Sequence, residues 1–90
     1  MRKTISIIVT GKVQGVFYRQ SAKEKATYSG IVGMIKNLPD RSVYIIATGT
    51  TEQLDLFINW CRSGPPKAVV SSIITEELPF CEFVHFTIER

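Results

Sequence analysis

Arg19 is the residue whose type and position most directly suggest chemistry on an anion. It ends the segment Gly11–Arg19, in which Gly11 and Gly15 can adopt backbone angles that other residues avoid. Backbone N–H groups in such a loop can converge on an anion, and a guanidinium binds two phosphate oxygens at once. The segment Gly15–Arg19 therefore predicts an anion-binding site that is suitable for phosphate.

The place of Arg19 conflicts with the helix predicted to follow it. Ser21 and Glu24 have the spacing of a capping box, and they predict a helix over Ser21–Ser29 that ends at Gly30. A cation is unfavourable at the positive end of a helix, and a bound anion would remove that conflict. The spacing alone leaves two alternatives open, namely a solvated surface arginine and an ordinary glycine-containing connection between a strand and a helix.

Asn37 is the second candidate. It ends a predicted strand over Ile31–Asn37 and precedes a turn at Leu38–Arg41, where Pro39 and Asp40 favour a turn. Asparagine is itself a common turn residue, so a purely structural role for Asn37 also fits the sequence.

The remaining elements place these candidates. Alternating apolar residues predict strands at Lys3–Val9 and Ser42–Thr48, whereas Gly11 and the residues after it should break the first strand. Thr50 and Gln53 form a second capping box, and Leu54, Phe57, Ile58 and Cys61 after it have helical spacing. Two more strands are predicted at Val69–Thr75 and Phe83–Ile88, the last with Val84, Phe86 and Ile88 on one face.

The order β-α-β-β-α-β plus a final strand predicts an α+β, ferredoxin-like fold. In this topology, a mostly antiparallel sheet carries two helices on one face, and strands one and two are parallel with strand three between them. Their carboxyl ends therefore meet at one edge of the sheet. The loop that carries Arg19 and the strand end that carries Asn37 should lie together there.

Composition sets further expectations. Ninety residues, 44% of them apolar and 21% charged, fit one globular domain over residues 1–90. The net charge is +3, and residues 1–23 contain five cations and no acid, which suits an anionic partner. We expect no signal peptide and no membrane association. Cys61 and Cys81 do not form a disulfide framework, and Cys61 is expected to be buried and reduced, which favours the cytoplasm.

The sequence resembles a known family at the residues already singled out. Gly11–Arg19 reads GKVQGVFYR and resembles the first signature of the acylphosphatases, G-x-V-Q-G-V-x-[FY]-R, at every fixed position. Gly33–Asn37, followed by Val43 and Gly49, resembles their second signature, and the segment Gly64–Val70 resembles the family's stretch after the second helix. The resemblance extends over the whole chain without a large gap.

The resemblance implies a small cofactor-free and metal-independent hydrolase. Its substrate would be an acyl phosphate and its products a carboxylate and inorganic phosphate, with neither nucleic acid nor membrane as a partner. The sequence does not give the oligomeric state, and a monomer is the default expectation. By this resemblance, the phosphoryl group is held by the Arg19 guanidinium and by the loop backbone of Gln14, Gly15, Val16, Phe17, Tyr18 and Arg19. The Asn37 amide orients the attacking water. A loop-built site with few side chains predicts low selectivity for the acyl group.

Three departures from the family pattern and two rival functions remain. Ser29 stands where the family favours leucine. Met34 stands where the family has an aromatic residue, and Arg41 stands where its hairpin has glycine. Arg41 lacks glycine's freedom at positive φ, which makes the geometry of the turn uncertain from sequence alone.

One rival function is an RNA-binding module, but strand three offers only Tyr44 for base stacking. The other is a catalytically silent domain of this family that binds an anion or a protein.

Overall fold

The structure, a computed structural model, describes residues 1–89. Its elements follow the predicted order: β1 (Arg2–Lys12), α1 (Tyr18–Tyr28), β2 (Val32–Asn37), β3 (Val43–Thr50), α2 (Thr51–Ser63), β4 (Val69–Leu78) and β5 (Phe86–Ile88). The α+β, ferredoxin-like fold is therefore confirmed.

The five strands form one sheet in the order β4-β1-β3-β2-β5. β3 pairs antiparallel with both β1 and β2, so β1 and β2 are parallel with β3 between them, as predicted. Alternate residues of β1, Ile5, Ile7 and Val9, are buried in the core, which includes residues of both helices. The carboxyl ends of β1 and β2, at Lys12 and Asn37, consequently lie at one edge of the sheet.

Gly11 does not break β1, contrary to the prediction. The strand continues through Gly11 to Lys12, and its pairing with β4 shifts between Thr10 and Gly11. A Cβ at Gly11 would lie 2.2 Å from the carbonyl oxygen of Val69, so glycine is needed there for close approach between two strands. The loop that leaves the strand is accordingly shorter than predicted and comprises residues 13–17.

Helix α1 begins three residues earlier than predicted, at Tyr18, and the predicted capping box of Ser21 and Glu24 is wrong. The residue before the helix is Phe17, which has φ 64° and makes no capping hydrogen bond with its side chain. Ser21 instead donates its backbone N–H to the carbonyl of Phe17, 3.0 Å away, inside the first turn. Arg19 therefore lies in the first turn of the helix and not in the loop before it.

Helix α2 agrees with its sequence signals. The Thr50 side chain accepts from the N–H of Gln53, and the Gln53 side chain accepts from the N–H of Thr50, which is the predicted capping box. Leu54, Phe57 and Cys61 are buried and Ile58 is half-buried.

β4 and β5 lie at opposite edges of the sheet, so the chain between them must cross it. The crossing segment is attached through Cys81, whose backbone N–H donates to the hydroxyl of Thr4 (2.8 Å) and whose carbonyl accepts from that of Thr48 (2.7 Å). Thr4 and Thr48 are opposite one another in β1 and β3 and are buried. β5 is shorter than predicted, and Val84 is 84% exposed instead of sharing the buried face of Phe86.

Candidate active site

A cleft of about 340 Å³ opens where β1 and β2 end. It is lined by Val13, Gln14, Gly15, Phe17, Tyr18, Arg19, Gln20, Asn37 and Ile88. Both predicted site side chains, Arg19 and Asn37, line this one cleft although 17 residues of sequence separate them. Of the predicted loop residues, Val16 alone does not line it and is buried instead.

The loop backbone has the geometry of an anion-binding nest. Gly15 has φ 73° and Phe17 has φ 64°, whereas Val16 between them is not among the residues with positive φ. Successive residues of alternating hand direct their N–H groups to one side, where the groups can bind an anion together. The first turn of α1 follows directly, and its N–H groups have no side-chain cap. The chain thus directs a run of backbone donors toward the cleft.

Two buried side chains hold this loop in place. Val16 is 6% exposed and packs in the core, and Tyr18 is 1% exposed. The Tyr18 hydroxyl donates to the carbonyl of Cys61 over 2.7 Å, which ties the start of α1 to the end of α2. Burial raises the pKa of the Tyr18 phenol well above its usual range, so the phenol stays protonated and donates this anchoring hydrogen bond.

Arg19 lies at the positive end of α1 with nothing negative beside it on the helix. The first turn of α1 contains no acidic residue. Within residues 1–89, the recorded salt bridge joins Arg2 to Glu82, far from this site in sequence, and none includes Arg19. The charge of Arg19 and the partial positive charge at the start of α1 have the same sign, so the site is complementary to an anion such as a phosphoryl group.

Asn37 brings an unsatisfied hydrogen-bond acceptor to the same cleft. Its Oδ1 is buried and has no hydrogen-bond partner among the described residues. Leaving a buried acceptor unpaired costs about 1–3 kcal/mol, and such an atom in a native structure requires an explanation. A water molecule or a ligand group that donates to Oδ1 in the occupied cleft would supply the missing partner.

The turn after Asn37 is stabilised by other residues, so the alternative of a turn-forming asparagine finds no support in the hydrogen bonds. The Asp40 carboxylate accepts from both the N–H (3.0 Å) and the hydroxyl (2.5 Å) of Ser42. These bonds hold the pKa of Asp40 below its usual value. Arg41 adopts φ 75°, the left-handed angle that glycine would adopt without strain. The hairpin therefore forms with Arg41 in the left-handed region, with local backbone strain.

Gln14 connects the loop to this hairpin, a role that the sequence did not reveal. Its side-chain Nε2 donates to the carbonyls of Leu38 (3.0 Å) and Ser42 (2.9 Å), the residues on either side of the turn. Leu38 and Ser42 are also joined by a backbone hydrogen bond. Since Leu38 is bonded directly to Asn37, the Gln14 amide sets the spacing between the loop and Asn37. No sequence spacing signals a contact between residues 14 and 38.

We therefore expect Gln14→Met to impair turnover more than folding. The variant preserves length but loses both hydrogen bonds, which should lower the free energy of unfolding by about 1–2 kcal/mol. If the two Gln14 hydrogen bonds position Asn37, kcat for the reaction proposed below should fall roughly 10-fold or more, with a smaller change in KM. A small misplacement of a group that acts in the transition state lowers the rate of the chemical step.

Asp40→Ala is the matched control for Gln14→Met, because it also removes two hydrogen bonds to the hairpin but none that joins the hairpin to the loop. Equal losses of kcat in the two variants, measured by steady-state kinetics and denaturant unfolding, would show that Gln14 only stabilises the hairpin.

The cleft lacks a side chain of the kind that usually acts as a base or nucleophile. Its described lining contains no Asp, Glu, His, Lys or Cys. Cys61, the nearest thiol to Tyr18, is buried, and burial raises its pKa to about 12, so the thiol stays protonated and shielded. Among residues 1–89 there is also no group of three or more His, Cys, Asp or Glu that could hold a metal ion. The arrangement can bind an anion and orient a water molecule, and it relies on positioning and charge.

Known proteins are similar to this chain in both sequence and fold. The family model described as Acylphosphatase matches residues 5–88. An acylphosphatase of Methylococcus capsulatus is 42% identical over 89 residues, which are 98% of this chain and 97% of the relative, and one of Marinobacter nauticus is 46% identical over 81 residues, 89% and 88% of the two chains. The solved structure of an acylphosphatase from Coxiella burnetii superposes with a TM-score of 0.95 at 34% identity and covers 98% of this chain and 93% of its own.

Proposed function

The chain belongs to the acylphosphatase family, and we infer its function from that membership and from the cleft. Members of this family hydrolyse the carboxyl–phosphate bond of acyl phosphates. We propose that this chain catalyses that hydrolysis in the cleft at the ends of β1 and β2, with Arg19 and Asn37 as the catalytic residues. The products are a carboxylate and inorganic phosphate.

Phosphoryl binding comes first. The N–H groups of residues 14–19 and the Arg19 guanidinium bind the oxygens of the phosphoryl group in the nest before helix α1. The guanidinium forms two parallel hydrogen bonds, and the partial positive charge at the start of the helix adds to the attraction. As charge redistributes over the phosphoryl oxygens in the transition state, donors that are already in place stabilise it without reorganisation.

The attacking water is bound by Asn37. Its Oδ1, which has no partner in the described structure, accepts a hydrogen bond from the water and directs the water lone pair at phosphorus. The bond from phosphorus to the acyl oxygen breaks, and the carboxylate leaves with the electron pair. Since the described lining has no carboxylate, imidazole or thiol, the water proton passes to a phosphoryl oxygen of the substrate. The products are then a carboxylate and a protonated phosphate.

One observation carries the proposal: Asn37, whose Oδ1 is buried and unpaired among the described residues, lines the same cleft as Arg19 and the loop before α1. A scaffold that only bound an anion would have no need for an unsatisfied acceptor there. The silent-domain alternative gains no comparable support from the described residues.

Hydrolysis of benzoyl phosphate by the purified 90-residue chain, with EDTA present, tests the proposal. We expect metal-independent turnover that inorganic phosphate inhibits competitively, because the product occupies the same nest. Turnover that disappears with EDTA would contradict the metal-independent mechanism. No turnover under any condition, with the fold intact by circular dichroism, would favour the silent anion-binding domain.

The other expectations about partners and location stay predictions. These are one domain over residues 1–90, a monomer, no cofactor, no nucleic acid or membrane partner, and the cytoplasm. The helices described within residues 1–89 include none that is long and apolar enough to cross a membrane.

A further inference from the structure

Phe17 combines a strained backbone with an exposed side chain. Its φ of 64° is left-handed, a conformation that costs a residue with a Cβ more than it costs glycine. Its aromatic ring is 76% exposed, so burial in the core does not offset that cost. A strained residue that the surrounding structure maintains is a candidate for function.

The neighbours of Phe17 show that the loop can bury apolar side chains. Val16 on one side is 6% exposed and Tyr18 on the other is 1% exposed. The sign of φ changes between Val16 and Phe17, and the Phe17 side chain is exposed whereas those of its two neighbours are buried. Phe17 precedes helix α1 but does not cap it with a side-chain hydrogen bond. Packing and capping therefore leave the aromatic ring unexplained.

Phe17 lies at the candidate active site. Phe17 lines the same cleft as Arg19, and so does Ile88 of β5, which is half-buried. These two side chains give the cleft apolar surface beside the nest. Arg19 is the only cation in the described lining, and the phosphoryl group engages it in the proposed reaction. No second cation is present in that lining for a charged group on the acyl half of a substrate.

We propose that Phe17 is a specificity-determining residue whose ring contacts the acyl group, so that the enzyme favours acyl phosphates with an uncharged, apolar acyl group, aromatic ones above all. The inference rests on the function proposed above and deepens it by naming the substrate class. An aromatic acyl group stacks on the ring or meets it edge to face, and both arrangements are favourable. Selectivity is then higher than a loop of backbone donors alone would provide.

The test compares benzoyl phosphate with acetyl phosphate in the wild type, Phe17→Gly and Arg41→Gly, with EDTA present. The measured quantity is kcat/KM for benzoyl phosphate divided by kcat/KM for acetyl phosphate. Differences in intrinsic reactivity between the substrates cancel when this ratio is compared among proteins. We expect it to fall roughly twofold to tenfold in Phe17→Gly, the range given by the energy of an aromatic contact.

Phe17→Gly should preserve the rest of the site and the fold. Glycine adopts the same left-handed angle without strain, so the nest persists and the inhibition constant of inorganic phosphate should stay within about twofold of the wild type. Relief of the strain should raise Tm by a few degrees, roughly 4 °C or more for a domain of this size.

Arg41→Gly is the matched control. It relieves the same kind of strain, at φ 75°, in the hairpin and does not alter the ring of Phe17. We expect a similar gain in Tm with an unchanged substrate ratio. A ratio in Phe17→Gly equal to that of the wild type, with both substrates hydrolysed, would overturn this inference and leave the proposed function intact. A wild type that hydrolyses neither substrate would overturn both.

Discussion

Replacement of Arg19 by alanine should lower kcat/KM for acyl phosphate hydrolysis by about 1,000-fold or more while the fold remains intact. Removing one preorganised donor from a developing oxyanion costs about 100-fold to 1,000-fold, and arginines on a transferring phosphoryl group contribute up to about 100,000-fold. Arg19 supplies both a charge and a pair of donors. The measurement is steady-state hydrolysis of benzoyl phosphate, with unfolding followed by circular dichroism.

The stability of the fold should not fall in Arg19→Ala, although the activity does. The variant removes a cation from the positive end of α1, and Arg19 is half-buried with no recorded salt bridge among residues 1–89. The free energy of unfolding should therefore stay constant or rise by up to about 0.5 kcal/mol. A fall of 1 kcal/mol or more would indicate that Arg19 has a structural role.

Two further variants make the interpretation specific. Arg19→Lys keeps the charge but loses the paired donors, so it should recover only part of the activity. Lys25→Ala removes a cation from the last turn of the same helix, where the dipole favours it. We expect Lys25→Ala to keep full activity and to lose a few tenths of a kcal/mol in stability. Similar activity losses in Lys25→Ala and Arg19→Ala would contradict a specific role for Arg19.

Replacement of Asn37 by alanine should give the second-largest effect, a fall in kcat of about 100-fold to 1,000-fold with a smaller change in KM. The side chain is proposed to act on the water, so its loss removes positioning in the transition state and leaves the phosphoryl contacts in place. Single-substrate kinetics over a range of benzoyl phosphate concentrations separates kcat from KM.

The sign of the stability change distinguishes catalysis from a structural role for Asn37. Because Oδ1 is buried and unpaired in the described structure, its removal should leave the free energy of unfolding unchanged or raise it by about 1 kcal/mol. Loss of a structural asparagine would lower that free energy instead. Asn59→Ala, an exposed asparagine on α2, is the control and should change neither activity nor stability. A destabilised Asn37→Ala that keeps its kcat would refute the proposed role.

Local sequence signals predicted most of the elements and their order. The capping box of Thr50 and Gln53 and the apolar stripe of α2 are contained within a few residues, so the sequence was sufficient to locate that helix. The order of strands and helices also predicted the sheet in which β1 and β2 are parallel with β3 between them. That topology predicted that Arg19 and Asn37 would meet, and the structure places both in one cleft.

The errors occurred where contacts from distant residues overrode a local signal. Ser21 and Glu24 have the spacing of a cap, yet α1 begins at Tyr18, because the buried phenol is held by the carbonyl of Cys61 on another helix. The start of α1 places Arg19 in its first turn, where it adds its charge to the site.

The sequence by itself determined the fold class, the family and the two side chains proposed to act, because these depend on residue types at short spacings and on element order. Tertiary structure decided three further features: Gln14 clamps the hairpin beside Asn37, Asn37 keeps an unpaired oxygen, and Phe17 exposes its ring. Each depends on contacts between segments far apart in the chain or on backbone angles that packing imposes. Local sequence contains neither, since the same residues adopt other conformations when those contacts are absent.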